Sequence, residues 1–208
     1  MVITMDRYEA DWSMVEKGWH IHVMGDGRMF SSAREAIETY RQEGQYTDQY
    51  LPGFVIGKDG KPAGTIDDGD AVILYNFRGD RAVEISKAFD YMDKGFDAFV
   101  MPKKPKVFYC GMLQYDGDLK LPANFLVEPP HIEHTMSEYL VHKGVSSYAC
   151  SETQKFGHMT YFWNGNRSEK FSDTLEVWEE VPSDIIPFDQ KPWMKATEVT
   201  EKIIAAIT

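Results

Sequence analysis

Apolar and polar positions change period most clearly between Ala71 and Met92. The run Ala71-Val72-Ile73-Leu74-Tyr75-Asn76-Phe77 is rich in β-formers and reads as a buried strand. From Asp80 onward, Ala82, Ile85, Phe89 and Met92 recur at helical spacing. Gly79 is the punctuation between the two, which puts Arg78 at the strand's carboxyl end and Arg81 in the helix's first turn. Ligands of open α/β sheets bind at that edge.

The same reading extends along the chain. Asp11 caps a helix from Trp12, with Met14 or Val15, Trp19 and Val23 on one face and Gly25-Asp26-Gly27 ending it. Before it, residues 1–5 form a short β-prone stretch, so Arg7 falls at another strand-to-helix junction. Ser31 or Ser32 caps a second helix running to about Glu43; residues 51–57 read as a strand and 58–62 as a turn. Residues 107–113 form a further strand, and the crowd of breaker residues over 116–130 marks an interdomain linker. Beyond it lie a helix over 131–142 closed by Gly144, a strand over 145–150, and an edge strand or hairpin arm over 171–181. Thr197 caps a last helix with Val199, Ile203 and Ile207 as its stripe. Strands alternating with helices predict an α/β fold class.

The 43% apolar and 13% aromatic content indicates a folded chain, and the net charge of -11 argues against nucleic acid or an anionic membrane surface as partner. An acidic protein that takes a small anion needs a locally positive site. Arg78 and Arg81, three residues apart beside backbone N–H groups, make such a trap for phosphate or carboxylate. The competing reading pairs them with Asp80 and Glu84 on a solvated surface. Cys110 and Cys150 are too few for a disulfide framework or thiolate metal site, so each is expected in the core and the protein in the cytoplasm. No apolar run approaches the roughly 20 residues of a membrane helix.

Other candidates carry less. Asp67-Asp68-Gly69-Asp70 lacks the Glu six residues after its Gly that closes a calcium loop. His131 and His134 have a spacing that would face a metal from one helix, but two ligands need a third, so no metal-binding residue is assigned. His158 reads equally as a cleft residue or as a packed or capping histidine.

Several motifs together resemble one family. Met5-Asp6-Arg7 with Trp12, Asn76-Phe77-Arg78-Gly79-Asp80-Arg81-Ala82, Gln114-Tyr115-Asp116-Gly117, Glu152-Thr153-Gln154-Lys155-Phe156-Gly157-His158 and Phe162-Trp163-Asn164-Gly165-Asn166 occur in the order seen in cofactor-independent phosphoglycerate mutase. Tyr8-Glu9 after the first arginine resembles the plant-like branch. The resemblance implies considerably longer proteins, in which a transferase domain is inserted into an alkaline-phosphatase-like domain. It implies that residues 1–117 are the second part of the transferase domain, 118–130 a hinge, and 131–208 part of the phosphatase-like domain, the chain being an internal fragment.

The resemblance also implies a glycolytic reaction. Members interconvert 3-phosphoglycerate and 2-phosphoglycerate through a phosphoserine, with two manganese or magnesium ions, as monomers. Arg7, Arg78 and Arg81 match substrate-holding arginines, and Lys155 matches the catalytic lysine at the transferring phosphoryl group. The family's nucleophilic serine and its metal ligands match nothing in this chain, so the isolated chain is expected to be inactive. The alternative is a non-catalytic module that binds an anionic metabolite or another chain.

Overall fold

The computed structural model describes residues 3–5 and 11–208. The strand-to-helix junction expected at Arg7 lies outside the described residues. The Asp11 carboxylate accepts the Ser13 N–H at 3.0 Å and opens α1 (Trp12–Trp19), which buries Val15, Gly18 and Trp19. The helix widens into a π-turn, His20–Met24, and stops at Gly25 with φ 67°. A positive φ of this kind suits glycine, which has no Cβ to clash.

Two compact units divide between Pro129 and Pro130. In the first, β1 (Met29–Phe30) pairs in parallel with β2 (Val55–Lys58), which turns through Asp59-Gly60 into antiparallel β3 (Lys61–Pro62). Ser32 caps α2 (Ala33–Glu43), whose Ala36 and Tyr40 pack with Phe30 in a small core. The larger sheet is all parallel, in the order β4 (Ala71–Leu74), β5 (Phe108–Leu113), β6 (Phe125–Val127). The segment 118–130, expected to be a hinge, thus contributes a strand to it.

Between β4 and β5 runs α3 (Val83–Tyr91), preceded by a 3-10 turn at Gly79–Arg81. Its Ile85, Ala88 and Phe89, with Met92 beyond it, are buried against Val15, Trp19 and Val23, as the helical spacing predicts. Phe89 lies 4.8 Å from the Trp19 ring and stacks on Tyr109 at 4.6 Å. The predicted strand over 71–77 ends early, at Leu74, because the Asn76 N–H bonds back to the Leu74 carbonyl at 2.9 Å and the chain turns.

In the second unit, α4 (Met136–His142) starts five residues later than predicted. His134 has φ 59°, incompatible with a helix, and Thr135 and Glu138 cap the true start reciprocally: Thr135 Oγ1 accepts the Glu138 N–H, and Glu138 accepts the His134 N–H. His131 and His134 therefore do not share a helical face. After α4, β7 (Ser147–Glu152), α5 (Thr153–Met159) and β8 (Glu176–Val181) form a parallel pair with a helical crossover, in register from Ser147↔Glu176 to Glu152↔Val181. The hairpin alternative for residues 171–181 is thereby removed. The last helix, α6 (Ala196–Ile207), has Lys195 rather than Thr197 at its cap position, and the Lys195 N–H is held by Glu152 Oε2 at 3.0 Å. Cys110 and Cys150 are both buried, as core packing requires.

Candidate functional site

In the first unit the loop between β4 and α3 presents Arg78 and Arg81. Asn76 grips the backbone of Arg78 from both sides: its Oδ1 accepts the Arg78 N–H and its Nδ2 donates to the Arg78 carbonyl, each at 3.0 Å. The Asn76 turn is in turn tied to the sheet by Tyr115. Its hydroxyl lies 2.6 Å from the Asn76 carbonyl and 3.0 Å from that of Leu74, and it accepts the Met112 N–H at 3.1 Å. Burial pushes the Tyr115 phenol above its ordinary value, so it stays a neutral donor. Gly79 lets the loop pass close to this tyrosine, since a Cβ there would meet the Tyr115 carbonyl oxygen at 3.1 Å.

The Arg78 Nε donates to Asp80 Oδ1 at 2.8 Å; the Asp80 side chain is 2% exposed and that of Arg78 62%. A buried carboxylate is costly unless paired and hydrogen-bonded, so Asp80 fixes the inner part of the arginine while the side chain remains at the surface. Of the pairing anticipated for a solvated surface, the Arg78–Asp80 contact exists, but with a buried acid. Arg81 ends the 3-10 turn instead of lying in the first α-helical turn, and its Nη1 donates to the Met5 carbonyl at 3.2 Å. Both arginines arise from the one loop, residues 75–82, at the carboxyl end of β4. Arg7 lies outside the described residues.

Sequence reasoning missed Asn76 and Tyr115 as holders of the loop. Tyr115 was visible only as part of a motif, because which carbonyl a tyrosine reaches depends on strand register.

In the second unit, Lys155 occupies the equivalent position, in the helix that follows the carboxyl end of β7. It is exposed and has no ion-pair partner among the described residues. Glu152, one turn before it, is buried and accepts from Ser183 Oγ at 2.8 Å and from the Lys195 N–H, locking the strand end that carries the lysine. His158 is half-buried, with its ring 5.2 Å from that of Phe162. Asn164, from the Phe162-Trp163-Asn164-Gly165-Asn166 motif, is buried and donates to Glu176 Oε1 at 3.0 Å. That motif supports the fold of the unit. Among the described residues, no group of three or more His, Cys, Asp or Glu side chains is placed to hold a metal ion, and no helix is long and apolar enough to cross a membrane.

Comparison with known proteins places these motifs in context. A family model described as BPG-independent PGAM N-terminus matches residues 1–117. A Trypanosoma brucei brucei protein named 2,3-bisphosphoglycerate-independent phosphoglycerate mutase is 56% identical over all of this chain and 38% of its own length. A Prunus dulcis protein of the same name is 55% identical over all of this chain and 43% of its own. The solved structure of a Leishmania mexicana phosphoglycerate mutase, determined at low cobalt concentration, superposes with a TM-score of 0.91 at 53% identity, covering 99% of this chain and 38% of that one. The chain thus spans about two-fifths of the length of the relatives it matches. By its matched model and by relatives that align along its whole length, it belongs to the 2,3-bisphosphoglycerate-independent phosphoglycerate mutase family.

Proposed function

We propose that this chain supplies part of the substrate-binding apparatus of a glycolytic phosphoglycerate mutase, with Arg78 and Arg81 as substrate-holding residues for 3-phosphoglycerate and 2-phosphoglycerate. The observation that carries the reading is that two arginines leave one loop at the end of β4 whose backbone Asn76 and Tyr115 hold, the Arg78 guanidinium seated by Asp80 and that of Arg81 by the Met5 carbonyl. A seated guanidinium loses less freedom when it closes on a carboxylate or phosphate, and its planar fork fixes the orientation of what it holds. Mutase chemistry calls for such holders, because the glycerate that gives up the phosphoryl group from one oxygen must be kept in the site until its other hydroxyl takes the group back.

Arg7 is proposed as a third holder on the strength of the family motif. Lys155 is proposed as the catalytic lysine, its compact ammonium stabilising charge that moves between oxygens during transfer. The family reaction employs divalent metal, for which manganese or magnesium is proposed. The described residues offer no ligand cluster for such ions, so no step within this chain is assigned to them. A cytoplasmic, monomeric full-length enzyme completes the proposal, with residues 1–117 belonging to a transferase domain, 118–130 to a hinge and 131–208 to a phosphatase-like domain.

Calorimetric titration of 3-phosphoglycerate into the chain and its Arg78→Ala variant tests the pocket. Loss of one charge-assisted contact is expected to weaken binding by about tenfold or more. Equal affinities would sink the assignment. In an enolase-coupled assay the isolated chain is expected to show no turnover, with or without manganese.

A further inference from the structure

We infer that the Ile3–Met5 turn, locked onto α1 through Thr4, Gly18 and His22, is a positioning device for the guanidinium of Arg81. The inference deepens the reading of Arg81 as a substrate-holding residue and rests on it.

Thr4 has φ 67°, a left-handed conformation that a β-branched residue adopts only under constraint. The Met5 N–H bonds back to the Ile3 carbonyl at 2.7 Å, closing a three-residue turn around it. Turns of this hand are rare and strained. Such a residue persists where its surroundings over-determine it, and here they do. The Thr4 N–H donates to the Met14 carbonyl of α1 at 2.8 Å. Its hydroxyl lies 3.1 Å from His22 Nε2 in the π-turn. Its backbone lies so close to α1 that a Cβ on Gly18 would sit 2.2 Å from Thr4 Oγ1 and 2.6 Å from Thr4 Cα.

Glycine is therefore used inside a helix, where it is unfavourable, because the turn presses against it. The π-turn belongs to the same device: a local widening re-aims the side chains that follow it, and such insertions concentrate at functional sites. The next carbonyl along the chain, that of Met5, receives the Arg81 Nη1. A continuous path thus runs from the rigid helix through Thr4 to one nitrogen of the arginine. Holding one Nη narrows the range over which the fork can swing, which favours two-point recognition of a carboxylate or phosphate.

The test uses the 208-residue chain, with two readouts. The Arg81 Nε–H resonance reports the guanidinium without any ligand, and titration of 3-phosphoglycerate reports the site. Thr4→Val, which deletes the hydroxyl, and Gly18→Ala, which displaces the turn, are expected to shift the Arg81 resonance and weaken binding several-fold to about tenfold. Thr4→Ser is expected to restore both. In an Arg81→Ala background neither change is expected to weaken binding further, a non-additivity that separate contributions would not give. An Arg81 resonance unmoved in Thr4→Val and in a folded Gly18→Ala chain overturns the inference. If Gly18→Ala does not fold, the Val and Ser pair at position 4 decides. If no form binds 3-phosphoglycerate, the reading of the arginines fails, while the resonance still decides whether the lock exists.

Discussion

Tyr115 shows what single residues contribute to this site without touching a ligand. Its hydroxyl accepts one backbone N–H and shares its single proton between two carbonyls. Removing it in Tyr115→Phe takes this partner from the Met112 N–H and the Asn76 carbonyl in a partly buried place, while the Leu74 carbonyl keeps the Asn76 N–H. About 1–3 kcal/mol of stability should be lost by urea titration, and 3-phosphoglycerate affinity should fall with the loosened Asn76 turn. His22 gives a pH handle. Burial holds its pKa below the ordinary 6.5, so the unfolded chain binds a proton more readily than the folded one. Its contribution is complete above 6.5 and is lost as pH falls from there through the lowered native value. The carboxylates Glu35, Glu43 and Glu179 also titrate below their ordinary 4.5, because hydrogen bonds from Ser31, Arg28 and Lys202 favour the charged form, so their effect begins at more acid pH. Urea midpoints at about pH 7.5 and about pH 5 should therefore fall in the wild type and fall less in His22→Gln. The place of Arg78 and Arg81 between a strand and a helix was legible in the sequence because a change of period brackets them. Asn76 read as a strand residue because nothing local reveals that its amide turns back on Leu74.

Among the elements, helices with apolar stripes and a capping side chain were readable, and those starting at unusual backbone were not. Asp11 and Ser32 mark their helices by accepting N–H bonds that their sequence positions foretell. The start of α4 was misplaced because His131 and His134 lie in a segment that polar helical spacing imitates, while the left-handed His134 is visible only in coordinates. The parallel pairing of β7 and β8 follows from the helix between them, a rule of connection that alternation of side chains does not express. At the head of β8, Glu176 is 1% exposed and accepts from Asn164 Nδ2, from the Phe171 N–H at 2.5 Å and from the Ser172 N–H at 3.1 Å. It ties the Asn164-Gly165-Asn166 turn and the approach to β8 into one knot. Glu176→Ala leaves one buried and two partly buried donors without this acceptor. A loss of about 3 kcal/mol or more is expected, read as faster amide exchange over residues 160–181 with residues 83–113 unaffected. Equal acceleration in both regions would show that the knot is not local to the second unit.

At the scale of the whole molecule the two units differ in what holds them together. The first buries Val15, Trp19, Val23, Ile85, Phe89 and Tyr109 in one continuous core. In the second, the buried apolar side chains are Cys150 and Val181, and much of the rest of the interior is polar: Glu152, Glu176, Asn164, Thr160 and Ser137. Its helix α6 leaves Ile204 and Ile207 at 53% and 79% exposure. Parallel sheets are ordinarily covered on both faces, and a two-stranded one has little apolar area with which to offset the entropy of ordering its chain. Relatives of this chain are more than twice as long, and the proposed split phosphatase-like domain would give the second unit its remaining cover. The isolated chain should therefore unfold in two steps. Amides of residues 136–207 should exchange through openings only a few kcal/mol above the native state, while those of α1, α3 and β5 are protected up to the stability of the first unit. Hydrogen exchange followed by peptide mass measurement separates the two directly. Coincident exchange of both units would mean that they share a single cooperative core, and the second unit's polar knots around Glu152 and Glu176 would then be worth far more than their hydrogen bonds suggest.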